Sequence, residues 1–182
     1  MYKHILFITL ILLVGVQYGF AQPPNDEPCS ATALTVNTTC NNTSGTNVAA
    51  TASTTPTPPA PGCGSYSGGD VWFSVVVPVG GAISIETSTN GGFTDGGLAL
   101  YSGACGSLTL IECDDDDGPG AMSLISRTGL TPGNTMYIRV WEYGNNSFGT
   151  FNICVTEPAG IPANDDCGCA IAVPVNPDFN VL

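Results

Sequence analysis

The sequence predicts an all-β domain, an antiparallel β-sandwich of about nine short strands stapled by disulfides. Three observations lead there. Apolar residues alternate with period two in run after run, and turn residues recur every ~8–12 positions. No stretch beyond the first twenty or so residues carries a convincing helical pattern. Finally, all eight cysteines follow an export leader, so they read as bridges rather than free thiols.

The leader is residues 1–21. Met-Tyr-Lys-His precedes an apolar run, Ile5–Val16, and Gly19 and Ala21 supply the small residues of a cleavage site. A membrane-spanning helix is the rival reading, but the run falls short of the ~20 residues a span needs. Cleavage after Ala21 is expected, which puts the mature chain outside the cytoplasm, secreted or on the outer cell surface, with no membrane span. The cleaved leader takes Lys3 and His4 with it. Two arginines, Arg127 and Arg139, then face fifteen acidic residues, for a net charge of −13. Phosphate backbones and anionic membranes are repelled by such a chain, which excludes nucleic acid as a partner. Divalent cations, neutral extracellular polysaccharides and protein ligands remain.

Residues 22–31 read as a linker into the domain, and Ala33–Val36 as a first strand. The polar stretch 37–46 is a turn region. Its Asn-X-Ser/Thr triplets at Asn37, Asn41 and Asn42, like that at Asn145, follow from composition. Asn47–Thr51 reads as an edge strand. Residues 52–69 hold four prolines and four glycines, so they form a long surface loop that Cys63 ties down. A bridge from Cys63 to Cys40 is one of fifteen pairings open to six cysteines.

Asp70–Val77 is the strongest strand, with Val71, Phe73, Val75 and Val77 on one face and Trp72, Ser74 and Val76 on the other. Asp70 itself reads as a turn cap. Ala82–Ser88 follows, with Ile83 and Ile85 inward. Leu98–Tyr101 and Leu108–Glu112 flank a Gly/Ser turn, and Ser123–Thr128 comes after an acidic loop. In Thr135–Tyr143, Met136, Ile138 and Val140 form the apolar face. Tyr137, Arg139, Trp141 and Tyr143 form the other face, either as a stacking platform for sugar rings or, the reading preferred here, as aromatics packed under a loop around Arg139. Thr150–Thr156 closes the domain, residues 22–158, which is long enough for one core.

The stretch Phe93–Gly120 is where a ligand is expected. Asp114–Asp117 run consecutively into Gly-Pro-Gly, and Asp95 precedes the adjoining strand. Clustered carboxylates on a turn suit calcium, a hard cation with 6–8 oxygen ligands. The spacing is not that of an EF-hand, and the reading preferred here is a solvated acidic loop that keeps a lysine-free protein soluble. Cys105 and Cys113 are expected to bridge locally, worth roughly 2–3 kcal/mol by loop-closure entropy. Cys29 and Cys154 complete the bridging set. Zinc is disfavoured: the nearest pair is Cys167-Gly168-Cys169, and no histidine follows the leader.

Catalysis is not expected. Without His or Lys, Ser-His-Asp, Cys-His and Ser-Lys machinery are ruled out. A glycosidase needs only two carboxylates, but its general acid must be buried enough to stay protonated, and Asp114–Asp117 face water. Glu86 and Glu142 are the carboxylates placed for partial burial. No cofactor other than calcium is suggested.

The tail repeats the opening. Residues 164–176, NDDCGCAIAVPVN, align without gaps on residues 25–37, NDEPCSATALTVN, with six of thirteen identical. Residues 159–182 therefore read as a linker and the truncated start of a second copy.

The runs DVWFSVVVP, FTDGGLALYSGACGSLTLIECDDDDGPG and GLTPGNTMYIRVWEYGNNSFGTFNICV together resemble a repeat domain of exported Bacteroidetes-type surface proteins. Such domains are similar to the bacterial pre-peptidase C-terminal domain, a jelly-roll β-sandwich. The resemblance covers about residues 24–156. It implies a non-catalytic appendage of secreted peptidases, adhesins and other multidomain surface proteins, some of whose relatives bind calcium or extracellular polymers. The expectation is a non-enzymatic extracellular binding or adhesion module, with calcium as its candidate structural ligand. The alternatives are an accessory domain of a secreted hydrolase and a structural spacer.

Overall fold

Side chains of a strand point alternately to its two faces, so a strand with apolar residues at every second position must cover that face with another layer. A computed structural model describes residues 21–158 and shows how this chain does so. The leader and the repeated opening at 159–182 lie outside the described residues. Ten strands form: β1 (Thr32–Leu34), β2 (Val36–Asn37), β3 (Thr43–Thr46), β4 (Val71–Val76), β5 (Ile83–Thr89), β6 (Gly96–Ala104), β7 (Ser107–Asp114), β8 (Leu124–Arg127), β9 (Thr135–Glu142) and β10 (Thr150–Thr156). One sheet has the order β1-β4-β9-β6-β7. The other has β2-β10-β5-β8, with β3 also paired to β10.

The all-β sandwich expected from the alternation is what forms. Val71, Phe73, Val75 and Val77 face the second sheet together with Met136, Ile138 and Val140. Phe151 sits at the centre, its ring 6.0 Å from Phe73 and 4.7 Å from Phe93. Each such side chain contributes roughly 1.5–3 kcal/mol by leaving water.

The departures lie in the first fifty residues. Ala33–Val36 is not one strand. It breaks at Thr35, where the chain crosses between sheets, and β1 and β2 then pair in parallel with β4 and β10. The sheets are therefore mixed rather than purely antiparallel. Asn47–Thr51 is not a strand either; the edge strand is β3, just before it. Asn47 is buried, and its side chain donates to the Ser147 carbonyl (2.9 Å) and accepts from the Gly149 amide (2.8 Å). A side chain spent on clamping a neighbouring turn stops the chain from continuing as a ladder.

The disulfides correct two expected pairings. The bridges are Cys29–Cys105, Cys40–Cys154 and Cys63–Cys113. Cys105 lies in the turn after β6, whereas Cys113 pairs with Ala99 near the far end of β7. Eight residues at ~3.3 Å each separate these ends, so a local bridge cannot close. Cys40 and Cys63 lie over different sheets: Cys40 reaches β10, and Cys63 reaches β7 across the outer face of the first sheet. The chain enters at one end of the sandwich, where Asn25 brackets Trp72 through two bonds of 2.8 Å, and the described residues leave at the other end beyond Thr156.

Candidate functional site: the covered face and the acidic tip

The outer face of the first sheet is as dry as the core. Trp72, Ala99, Tyr101 and Trp141 are buried, with Tyr66, Leu108, Leu110 and Tyr137 packed against them. The proline-rich loop 52–69 supplies the cover. Gly97, opposite Trp141 in the ladder, leaves room for the indole: a Cβ there would collide with the ring. The expectation that the β9 aromatics pack under a loop is met for Trp141 and Arg139, whereas Tyr143 stays exposed.

Asp70 is not a simple turn cap. It is fully buried and binds Arg139 Nε at 3.0 Å, Ser53 Oγ at 2.6 Å, Tyr66 Oη at 2.7 Å and Trp72 Nε1 at 2.9 Å. The Arg139 guanidinium also stacks on the Tyr66 ring at 4.0 Å. Burial alone would lower the Arg139 pKa, but Asp70 outweighs it and holds the charge firmly in place. Burial, reinforced by Asp70, pushes the Tyr66 phenol far up. This is a structural ion pair, satisfied on every side. Sequence reasoning missed it because its members are scattered over residues 53–139. The one signal was Arg139 in the middle of an aromatic strand face.

The acidic tip lies at the end where the chain enters. Carboxylate oxygens of Asp95, Asp115 and Asp116 come within 4.8 Å of one another. Asp114 and Asp117 do not join them: Asp114 Oδ2 instead accepts from the amides of Leu124 (2.9 Å) and Asp117 (3.2 Å), folding the loop. Ser123 Oγ donates its one proton to the Gly96 carbonyl and lies near the carbonyls of Asp114 (3.2 Å) and Asp115 (3.1 Å). Asp115 Oδ1 is buried with no protein partner among the described residues. It lies against Gly64 of the cover loop, whose φ of +57° suits glycine.

Burial first, then Asp116 and Asp95, raises the Asp115 pKa; burial, then Asp116 and Glu142, raises that of Asp95. Neither arginine offsets this repulsion, because Arg139 is held by Asp70 and Arg127 by Glu112 at 3.5 Å. Of the carboxylates placed for burial, Glu142 is 2 % exposed and accepts from the Asn146 amide, while Glu86 is only partly buried. Tyr143 and Phe148, 43 % and 53 % exposed, stand in the adjoining turn, and the Tyr143 amide donates to the Asp95 carbonyl.

Two sheets, a covered outer face and a loop-built acidic tip define a β-sandwich module. Residues 24–154 match the T9SS-associated family described as galactose binding domain-like, and the chain belongs to that family. This membership fits an accessory or binding role. Membership and the three bridges point to an extracellular or cell-surface protein. Solved structures similar to the chain include the pre-peptidase C-terminal domain of a collagenase from Bacillus anthracis, with 11 % identity and a TM-score of 0.42 over 69 % of this chain and 93 % of that one. Another is CorA, a surface-associated copper-binding protein of Methylomicrobium album, with 10 % identity and a TM-score of 0.40 over 70 % and 98 %. No curated protein matches the chain. Among the described residues, no helix is long and apolar enough to cross a membrane.

Proposed function

We propose that this protein is a non-enzymatic extracellular binding module whose acidic tip takes a divalent cation, calcium by its ligand chemistry. The observation that carries the reading is the convergence of Asp95, Asp115 and Asp116, with both arginines committed elsewhere. Three carboxylates held this close repel one another, and a cation between them turns that repulsion into attraction. An all-oxygen carboxylate set favours calcium over the softer transition metals. Three protein ligands leave coordination positions for water or for the hydroxyls of a neutral polysaccharide. The exposed rings of Tyr143 and Phe148 beside the tip support a polysaccharide as the adhesion ligand, since aromatic faces stack on sugars. The strong negative charge supports neutral ligands over anionic ones.

Thermal melting of the exported protein tests the cation. Calcium should raise Tm relative to EDTA, by mass action on the folded state, and Asp115→Asn should abolish the difference. Equal melting in the two buffers would reject the cation. A glycan array read with and without calcium tests the ligand class; failure to retain any neutral glycan in either condition would leave a spacer or an accessory domain of a secreted hydrolase.

A further inference from the structure

The carboxylates of the acidic tip stand on two segments, Asp95 before β6 and Asp115 with Asp116 after β7. A third segment, residues 63–65 of the cover loop, laces them together. Cys63 is bridged to Cys113, two residues ahead of Asp115. Gly64 presses on Asp115 itself: a Cβ built on the glycine would stand 2.9 Å from Oδ1. The Ser65 carbonyl accepts from the Gly144 amide at 2.8 Å, and the neighbouring Tyr143 amide donates to the Asp95 carbonyl at 3.0 Å. Cover loop, Asp115 and Asp95 thus form one circuit. The disulfide closes it on one side and the Tyr143–Gly144 backbone on the other.

A second observation points to a ligand at the same place. Trp141 is fully buried, yet its Nε1 has no partner among the described residues, and neither has the buried Oδ1 of Asp115. The two side chains meet at Gly64, whose Cβ position is also 3.3 Å from Trp141 Cζ2, a ring atom two bonds from Nε1. Buried polar atoms in folded proteins nearly always have partners. An oxygen that accepts from the indole and donates to the carboxylate satisfies both, and a water carried by a cation or a sugar hydroxyl is such an oxygen.

We propose that the Cys63–Cys113 bridge, together with Gly64, is a positioning element of the cation site, so that calcium binds tightly only while this bridge is closed. The inference rests on the cation reading of the tip. Once the bond is open, nothing covalent holds Gly64 on Asp115, and the acidic loop relaxes under its own repulsion. A ligand set held in place binds more tightly than one that must first be gathered. Such coupling is reciprocal: the factor by which the bridge raises calcium affinity is the factor by which calcium protects the bridge from reduction. A dithiol supplies the two electrons, leaving Cys63 and Cys113 as thiols and itself as a cyclic disulfide.

Calorimetric titration of calcium into the exported protein tests it. Cys63→Ser with Cys113→Ser is expected to weaken binding on the order of tenfold. Gly64→Ala, which keeps the bridge, should weaken it as well. Cys40→Ser with Cys154→Ser opens the bridge to β10 of the second sheet and should leave the affinity unchanged. In a dithiothreitol redox buffer, calcium should shift the reduction equilibrium of Cys63–Cys113 in the unmodified protein by the same tenfold order, read by thiol alkylation and mass mapping. Circular dichroism identifies the folded variants, and the redox arm together with Gly64→Ala decides the matter if the Cys63 and Cys113 double variant does not fold. Unchanged affinity in that folded double variant, or a bridge whose reduction is indifferent to calcium, would overturn the inference and leave the cation reading intact. An equal loss on opening Cys40–Cys154 would also overturn it, because affinity would then follow general stability. No calcium binding by the unmodified protein would sink the cation reading and this inference with it.

Discussion

Ile138 and Arg139 are neighbours on β9, both buried, and they look in opposite directions. Ile138 faces the second sheet within the apolar core, where the cover is another ladder of hydrogen-bonded strands. Arg139 faces out, and its cover is the irregular loop 52–69, held by Asp70, Ser53, Tyr66 and the Cys63–Cys113 bridge. The inner face would stay dry in any sequence that kept the alternation. The outer face stays dry only while particular polar and covalent ties hold a loop down. Hydrophobicity builds the first; specificity builds the second.

Three experiments break or sharpen this contrast. The largest effect is expected from Arg139→Met, which strands the Asp70 carboxylate in a dry site and should cost about 3–5 kcal/mol in chemical denaturation. Combining it with Asp70→Asn, which removes the stranded charge but keeps an acceptor for Ser53, Tyr66 and Trp72, should recover much of that loss. Ile138→Ala, at about 2–5 kcal/mol, has no partner substitution that rescues it so simply. If the double variant were as unstable as the single, the ion pair would not be the tie described here.

A smaller effect is expected from Cys63→Ser with Cys113→Ser. Opening a bridge between cysteines 50 apart in sequence should cost about 2–4 kcal/mol. The near-ultraviolet dichroism of Trp72 and Trp141 should weaken, while amide exchange of β5 and β10 in the second sheet stays slow. Equal loosening of both sheets would erase the distinction between the two faces.

The smallest effect concerns the tip. Asp95 and Asp115 bind protons more tightly folded than unfolded, because their pKa values are raised above the ordinary 3.8. Their ionisation therefore destabilises the metal-free fold as pH rises through the window between 3.8 and the raised folded values. In EDTA, lowering the pH into that window should raise Tm slightly, and Asp115→Asn should flatten the change. A steady fall in Tm over the same range, unaltered by Asp115→Asn, would contradict the assigned shifts.

The strands from Val71 to Thr156 were legible because each carries its own alternation, and Val71, Phe73, Val75 and Val77 announce a buried face unaided. β1, β2 and β3 were blurred, since strands of two to four residues carry too little period to read. The bridges were misread for a related reason. Nearness in sequence suggested Cys105 with Cys113, but an extended strand carries its two ends apart. At the tip, composition pointed to the whole Asp114–Asp117 run together with Asp95. Only coordinates separate Asp114, which spends its carboxylate on backbone amides, from Asp115 and Asp116, which turn toward Asp95. Of the Asp70–Arg139 pair only the arginine gave a signal, because nothing in a sequence says that residues 53, 66, 70, 72 and 139 will meet.

The bridge between Cys40 and Cys154 has a mechanical consequence. Pulled from its two ends, the oxidised domain transmits tension from the opening segment through this bond into the last strand, bypassing the 113 residues between. Only the sixteen residues from Asn25 to Cys40 and the few beyond Cys154 lie in the loaded path, so their contour length, about 55 Å for the opening segment at ~3.5 Å per residue, caps the stretch. Under load the oxidised domain would stretch a little and then stop.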